Sequence, residues 1–193
     1  KRLHPGEPFP AISGTTVGGG TVSLPADLST PYGIILTIGL LVTVLDQQLA
    51  DYQANLEAAT AQGISVYAVS TDPLDKAQST VDKLGLTFPV LYGVDGPATA
   101  DTLACWYEEK RNIIQPAAFI IDPERNILNV TYTSGPIGRL QVKDALGLVG
   151  FYAKQKISAT TVDKEKGWTA NVTGAKCRLM RLGSDAFTRL LFS

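Results

Sequence analysis

The stretch G-I-I-L-T-I-G-L-L-V-T-V-L at residues 33–45, followed directly by D-Q-Q-L-A-D-Y-Q at 46–53, decides how this chain folds. Its first half is short, rich in β-branched residues and bounded by Gly33 and Gly39, which predicts a buried strand over 34–38. The apolar run covers 13 residues, well below the roughly 20 needed to span a bilayer, so a core strand is the better reading. Beyond it, Leu45, Leu49, Tyr52, Leu56 and Ala59 recur at helical spacing, predicting a helix over 46–62 with Asp46 as its N-cap and Gly63 ending it.

The same alternation continues outward. I-S-V-Y-A-V-S at 64–70 reads as a second buried strand, and Thr71-Asp72-Pro73 opens a helix that Gly85 closes. A short strand is expected at 88–92 and a helix at 98–110, with Leu103, Trp106 and Tyr107 on its apolar side. Strands at 117–122 and 127–133 are joined by the turn Pro123-Glu124-Arg125-Asn126, and a last amphipathic helix runs over 140–154. Before the first core strand, Pro5, Pro8, Pro10, Pro25 and Pro31 leave room only for short strands near 15–24. Alternating β and α elements argue for a mostly parallel core sheet covered by helices, with the closing hairpin adding antiparallel strands.

Composition narrows the function classes. The chain has 193 residues, is 45% hydrophobic and 18% charged, and carries a net charge of −1. That suits one globular domain with a terminal extension, without a field that favours nucleic acid or an anionic membrane. Residues 1–155 are read as the domain and 156–193 as a weakly ordered or partner-binding extension; residues 157–193 have a local net charge of +3 against −4 for the rest. Two cysteines, Cys105 and Cys177, are too few for a disulfide scaffold and make a reducing cytoplasm the default location. The single histidine, His4, makes a histidine-based metal site or a Ser-His-Asp triad improbable. The chain begins at Lys1 with no apolar leader segment visible.

Local sequence then points to a family. The pieces are P-G-E-P-F-P-A-I at 5–12, V-S-L-P at 22–25, D-Q-Q-L-A-D-Y-Q at 46–53, V-Y-A-V-S-T-D-P at 66–73, K-L-G-L-T-F-P-V-L at 83–91, P-A-A-F-I-I-D-P at 116–123 and G-P-I-G-R-L at 135–140. In this order they resemble the alkyl hydroperoxide reductase/thiol-specific antioxidant (AhpC/TSA) family, in its peroxiredoxin-like branch, over roughly residues 5–155. The resemblance implies a thioredoxin-like α/β fold with extra N-terminal strands. It also implies a peroxide substrate, thioredoxin or glutathione as reductant, a homodimer and no cofactor.

The resemblance also exposes a loss. In this branch the first long strand ends in a segment like Y-R-G-x-W-C-P-Y-C. Laid on this chain, the two cysteine slots hold Val42 and Leu45, the tryptophan slot holds Leu41 and the proline slot Thr43. A thiolate at a helix N-terminus is stabilised by the helix dipole and by free N–H groups, and a second thiol resolves the sulfenic acid it forms. Valine and leucine do neither. The common peroxiredoxin P-x-x-x-T-x-x-C pattern is absent too, with Ile35 and Gly39 at its Pro and Thr positions. One hypothesis accounts for part of the change. Reading GGC TAC TGG TGC CCG TAC TGC (G-Y-W-C-P-Y-C) from its third base gives L-L-V-P-V-L, one base change from the L-L-V-T-V-L at 40–45. A verified clone with an uninterrupted frame rules out a sequencing error.

The remaining candidates weigh towards structure. Pro116 occupies the cis-proline slot of thioredoxin-like proteins and is expected to be cis. Cys105, beside Trp106 on the expected helix, reads as a buried structural thiol, with a substitute nucleophile as the alternative. Cys177 lies among Lys176, Arg178 and Arg181 and reads as an adventitious surface thiol. Gly18-Gly19-Gly20 lacks a phosphate-loop signature and reads as a hairpin loop, while Asp72, Asp75 and Asp95 fit caps and turns. The sequons at Asn129 and Asn171 are read as chance, and Glu108-Glu109-Lys110-Arg111 as a solvated helix end. Two functions follow: a thiol oxidoreductase by lineage that is inactive as written, or a non-catalytic binding module built on the thioredoxin platform around Pro116, with the apolar 40–45 segment as an interface.

Overall fold

A computed structural model describes residues 1–38, 43–135, 137–165, 168–171 and 178–181. The chain divides into two compact units, Lys1–Gly147 and Leu148–Ser193. In the first, strands β1 (Ile12–Thr16), β2 (Thr21–Leu24) and β3 (Tyr32–Ile38) lead to helices α1 (Thr43–Ala54) and α2 (Leu56–Ala61). Then come β4 (Ile64–Ser70), α3 (Leu74–Leu84), β5 (Val90–Tyr92) and α4 (Gly96–Thr102). A small hairpin, β6 (Tyr107–Glu108) and β7 (Ile113–Ile114), precedes β8 (Ala117–Ile121) and β9 (Ile127–Tyr132), and α5 (Val142–Glu165) begins in the first unit and ends in the second. Strands β10 (Trp168–Asn171) and β11 (Arg178–Arg181) pair antiparallel in the second unit.

One seven-stranded sheet carries the order β2-β1-β5-β4-β3-β8-β9. β3 pairs parallel with β4, and β4 with β5, while β8 lies antiparallel to β3 and β9 antiparallel to β8. This is the mixed sheet that the β/α alternation predicts. Every residue of β3 is buried, as the unbroken apolar run demands of a strand covered on both faces. Phe9, Leu24, Leu28, Ile35, Tyr67, Leu91, Leu103 and Phe119 share one core cluster, and Phe9 meets Phe119 edge to face at 5.3 Å. Burying aromatic and branched side chains of this kind stabilises by about 1.5–3 kcal/mol each.

Several boundaries differ from expectation. The helix expected over 46–62 bends at Asn55, whose Nδ2 donates to the Asp51 carbonyl at 2.8 Å and competes with the local helix pattern. Asp46 is not the cap; α1 starts at Thr43, and Asp46 Oδ2 instead accepts from Lys83 Nζ on α3 at 2.6 Å. Pro73 serves as the N-cap of α3 rather than its first turn, and Gly85 closes that helix at φ +60°. The helix expected over 98–110 stops at Thr102: Leu103 is fully buried, Ala104 takes φ 54°, and the Cys105 amide bonds the Ala100 carbonyl at 2.8 Å. Cys105 therefore sits in the turn after α4, not on a helix. Glu108 ends β6 and Glu109–Arg111 form a single 3-10 turn between β6 and β7 rather than the end of a long helix, with Arg111 holding Glu108 through Nε and Nη2 at 2.5 Å each. Residues 168–171 and 178–181 pair antiparallel within the segment expected to be weakly ordered or partner-binding. Among the described residues no helix is long and apolar enough to cross a membrane.

Candidate functional site

The site expected from sequence lies where β3 hands over to α1. Val42 lies outside the described residues, and Leu45 falls in the first turn of α1. The surroundings of this junction are well defined. Thr37, one residue before the end of β3 and only 1% exposed, accepts a hydrogen bond from the Ala117 amide at 2.6 Å. The same hydroxyl lies 3.2 Å from the Gln115 carbonyl oxygen and 3.3 Å from that of Ala117. A polar residue inside an otherwise apolar strand was the available signal for this role, and the sequence reading passed over it.

Pro116 lies between Gln115 and Ala117, the two residues that Thr37 bonds. Its peptide bond is trans, which corrects the expectation; the cis X–Pro bond among the described residues joins Leu24 to Pro25. The chain runs extended from β7 into β8 here, and its neighbours hold it in that form. The Gln115 amide donates to the Trp106 carbonyl at 2.7 Å, and the Pro116 carbonyl accepts from the Thr133 amide at 2.9 Å and its hydroxyl at 3.0 Å. The trans isomer is the default for an X–Pro bond when its surroundings favour an extended chain. Gln115 thus spends both backbone groups on the protein's own Trp106 and Thr37.

Next to Pro116 a shallow cleft with room for about one water molecule is lined by Gln48, Ala117, Ala118, Thr131, Thr133, Arg139 and Leu140. Arg139 Nη1 donates to Gln48 Oε1 at 3.0 Å, and Gln48 Nε2 and the Tyr52 hydroxyl both donate to the Leu140 carbonyl, at 3.1 and 3.4 Å. Burial lowers the Arg139 pKa, and burial followed by the charge of Asp144 raises that of Tyr52. Of the polar groups on its walls, the Gln48 amide, the Arg139 guanidinium and the Thr133 hydroxyl bond within the protein itself. Arg139 belongs to the G-P-I-G-R-L piece, so it was legible as family likeness but not as a site residue.

The described thiol is elsewhere. Cys105 is partly buried against the core cluster, and its Sγ lies 3.8 Å from the Leu103 carbonyl. Burial pushes its pKa up to about 12, against a smaller lowering by Arg2. A thiol so placed stays protonated at neutral pH and is a poor nucleophile. Cys177 lies outside the described residues. Asp95 caps α4, accepting from the Ala98 amide at 2.8 Å, and Asp72 accepts from Ser70 Oγ at 3.0 Å. Gly18, Gly19 and Gly20 form the β1–β2 hairpin loop, closed by the Thr16 amide on the Gly20 carbonyl. Among the described residues no cluster of three or more His, Cys, Asp or Glu suits a metal ion.

Comparisons with known proteins agree with this geometry. Solved structures of similar fold include Mycobacterium tuberculosis AhpC, with a TM-score of 0.68 at 16% identity over 83% of this chain and 99% of that one. Another is the peroxidoxin BcpB of the same organism, with a TM-score of 0.67 at 15% identity, covering 77% of this chain and 97% of the other. These neighbours place the chain in the thioredoxin-like fold of peroxiredoxins. A candidate peroxiredoxin of M. tuberculosis is 29% identical over 149 residues, 72% of this chain and 91% of its own length. Residues 5–130 match the AhpC/TSA family itself, from the N-terminal proline segment through the strand that follows Pro116, and the chain therefore belongs to that family.

Proposed function

We propose that this chain is a catalytically silent peroxiredoxin-like protein: a member of a thiol-dependent peroxide and disulfide reductase lineage that has lost its nucleophile. The reading is carried by the family likeness, which lays the two cysteine slots on Val42 and Leu45. The state of Cys105 supports it, since a thiol raised to about 12 does not stand in for a thiolate at a helix N-terminus. A working copy with thiolates at 42 and 45 would attack peroxide and be recharged by thioredoxin or glutathione; homodimerisation and a cytoplasmic location belong to the same reading. The test is peroxide consumption with a thiol reductant. No turnover above the protein-free rate is expected, and turnover that disappears in Cys105→Ser overturns the reading.

A second reading is a non-catalytic binding module. The cleft beside Pro116, with Gln48, Thr131, Thr133 and Arg139 on its walls, favours it, because polar lining persists where sulfur chemistry does not. The engaged backbone of Gln115 argues for side-chain recognition there rather than strand pairing. A sharply melting monomer that retains nothing in pull-downs counts against this module.

A further inference from the structure

The segment 1–9 lies across one side of the sheet. The Gly6 amide donates to the Ile127 carbonyl and the Ile127 amide to the Glu7 carbonyl, both at 2.8 Å, so this segment covers the outer backbone of β9 at its start. The Phe9 amide adds a bond to the Arg125 carbonyl at 3.0 Å, and Phe9 itself is buried. Nearer its start, the Leu3 amide donates to the Tyr132 hydroxyl at 3.3 Å, and that hydroxyl donates on to the Leu103 carbonyl at 2.9 Å. Arg2 is the key contact. Its Nη1 donates to the Ala104 carbonyl, while its guanidinium lies 3.6 Å from the centre of the Trp106 ring and 5.0 Å from that of Tyr132. One side chain thus grips the residues immediately before and after Cys105.

We propose that residues 1–7 form a strap with Arg2 as its catch, which closes over Cys105 and the start of the β9 edge and opens without unfolding the sheet. The two ends of the segment are held differently. Phe9 is seated in the core, whereas Lys1, His4 and Pro5 are exposed and Lys1 meets Glu7 only through an exposed ion pair at 3.0 Å, which contributes little. Towards Lys1 the hold therefore rests on the Arg2 guanidinium, through its stacking on Trp106 and Tyr132 and its bond to the Ala104 carbonyl, together with the Leu3 amide bond to Tyr132 and the packing of Leu3 on the core. Opening uncovers the thiol and leaves Ile127 with unpaired edge groups, the state in which a sheet edge recruits another strand.

The test reads Cys105 as a reporter in a Cys177→Ser background of the full chain, by its rate of labelling with an aromatic disulfide reagent. Arg2→Ala should speed labelling about tenfold or more, Arg2→Lys should fall between, and Cys105→Ser should abolish the signal. Equal rates in all three Arg2 forms overturn the strap. Amide exchange separates strap opening from general destabilisation. Gly6 and Ile127 should exchange faster in Arg2→Ala while Phe9, Ala118 and Ile120 stay protected. Should Arg2→Ala not fold, the Arg2-containing protein decides: labelling that tracks Gly6 exchange at low denaturant supports the strap, and labelling only at the rate of global unfolding overturns it. Faster labelling with no gain in peroxide turnover leaves the silent-enzyme reading intact, so the two ideas fail separately.

Discussion

The amide of Ala117 donates to the hydroxyl of Thr37 over 2.6 Å, joining two positions 80 residues apart at the point where the β3–β8 ladder stops. The last paired residues of that ladder are Leu36 and Ala118. Beyond them Pro116 has no N–H to offer, so a backbone ladder has nothing to continue with. The Thr37 side chain takes over, and its hydroxyl ties the strand that leads into α1 to the segment that carries Pro116. Thr37 thereby bonds to residues on either side of Pro116.

Thr37→Val keeps the shape and the β-branch but leaves the buried Ala117 amide without its partner. An unsatisfied buried donor costs about 1–3 kcal/mol, and a loss of that size is expected in the urea midpoint with an unchanged slope. Thr37→Ser, which keeps the hydroxyl, should lose less. Equal stability of Thr37→Val and the parent would show that water or a backbone shift replaces the bond.

Alkaline pH should destabilise the protein through its buried acids. The Cys105 thiol and the Tyr132 phenol are both pushed up to about 12, chiefly by burial. Between the ordinary pKa of such groups and these raised values the folded state holds protons that the unfolded chain has released. Stability is therefore full below about pH 8.5 and declines as pH rises towards 12, Cys105 contributing at most about 1.4 kcal/mol per pH unit and the more exposed, solvent-screened Tyr132 less. Denaturation midpoints across pH 7–11 measure the slope, and Cys105→Ala should flatten it. A slope that the substitution leaves unchanged would mean that the thiol ionises freely in the folded protein.

Much of the core was legible because its signals are local and repeated. Ile64–Ser70 matches the strand read from I-S-V-Y-A-V-S residue for residue, and Gly85 ends α3 in the left-handed conformation that glycine favours. The failure at 98–110 has a physical cause. Leu103, Trp106 and Tyr107 do recur at helical spacing, but Leu103 is buried in the core cluster, Trp106 is 44% exposed under Arg2, and Tyr107 turns to Asn112. Three apolar residues serving three different neighbours imitate one helical face. The start of α4 was readable, since Asp95 before Gly96-Pro97 is a cap followed by an early proline. The Thr37 fork and the cleft beside Arg139 depend on contacts 78 to 91 positions apart, which no local pattern encodes.

Gly96→Ala tests the packing that displaced the expected helix. A Cβ there would lie 2.6 Å from Asn112 Oδ1 and 2.7 Å from Tyr107 Cε2, inside their contact distance. Asn112 is itself pinned, with φ 52°, its carbonyl accepting from Thr71 Oγ1 at 2.7 Å and its Oδ1 from the Tyr107 hydroxyl at 2.8 Å. Helix propensity alone favours alanine over glycine. Overpacking of this kind costs about 1–3 kcal/mol, so a net loss in thermal stability is expected. A stabilised variant would show that the β6–β7 hairpin yields freely.

Val42→Cys together with Leu45→Cys tests lineage and loss in one protein. The double variant restores the spacing of the family's C-x-x-C site, and the bonded frame of Thr37, Pro116 and Arg139 needs no further change. Peroxide or disulfide reduction should appear from a background of none. It should be assayed with thioredoxin and with glutathione in turn, because the cleft does not select between them. Val42→Cys alone should form a thiolate that alkylates at neutral pH, whereas Cys105 in the parent should not, since only the former would have the helix dipole to lower its pKa. A double variant that folds, binds reductant and still leaves peroxide untouched would mean that the loss extends beyond the two sulfur atoms, and the redox lineage of this site would have to be given up.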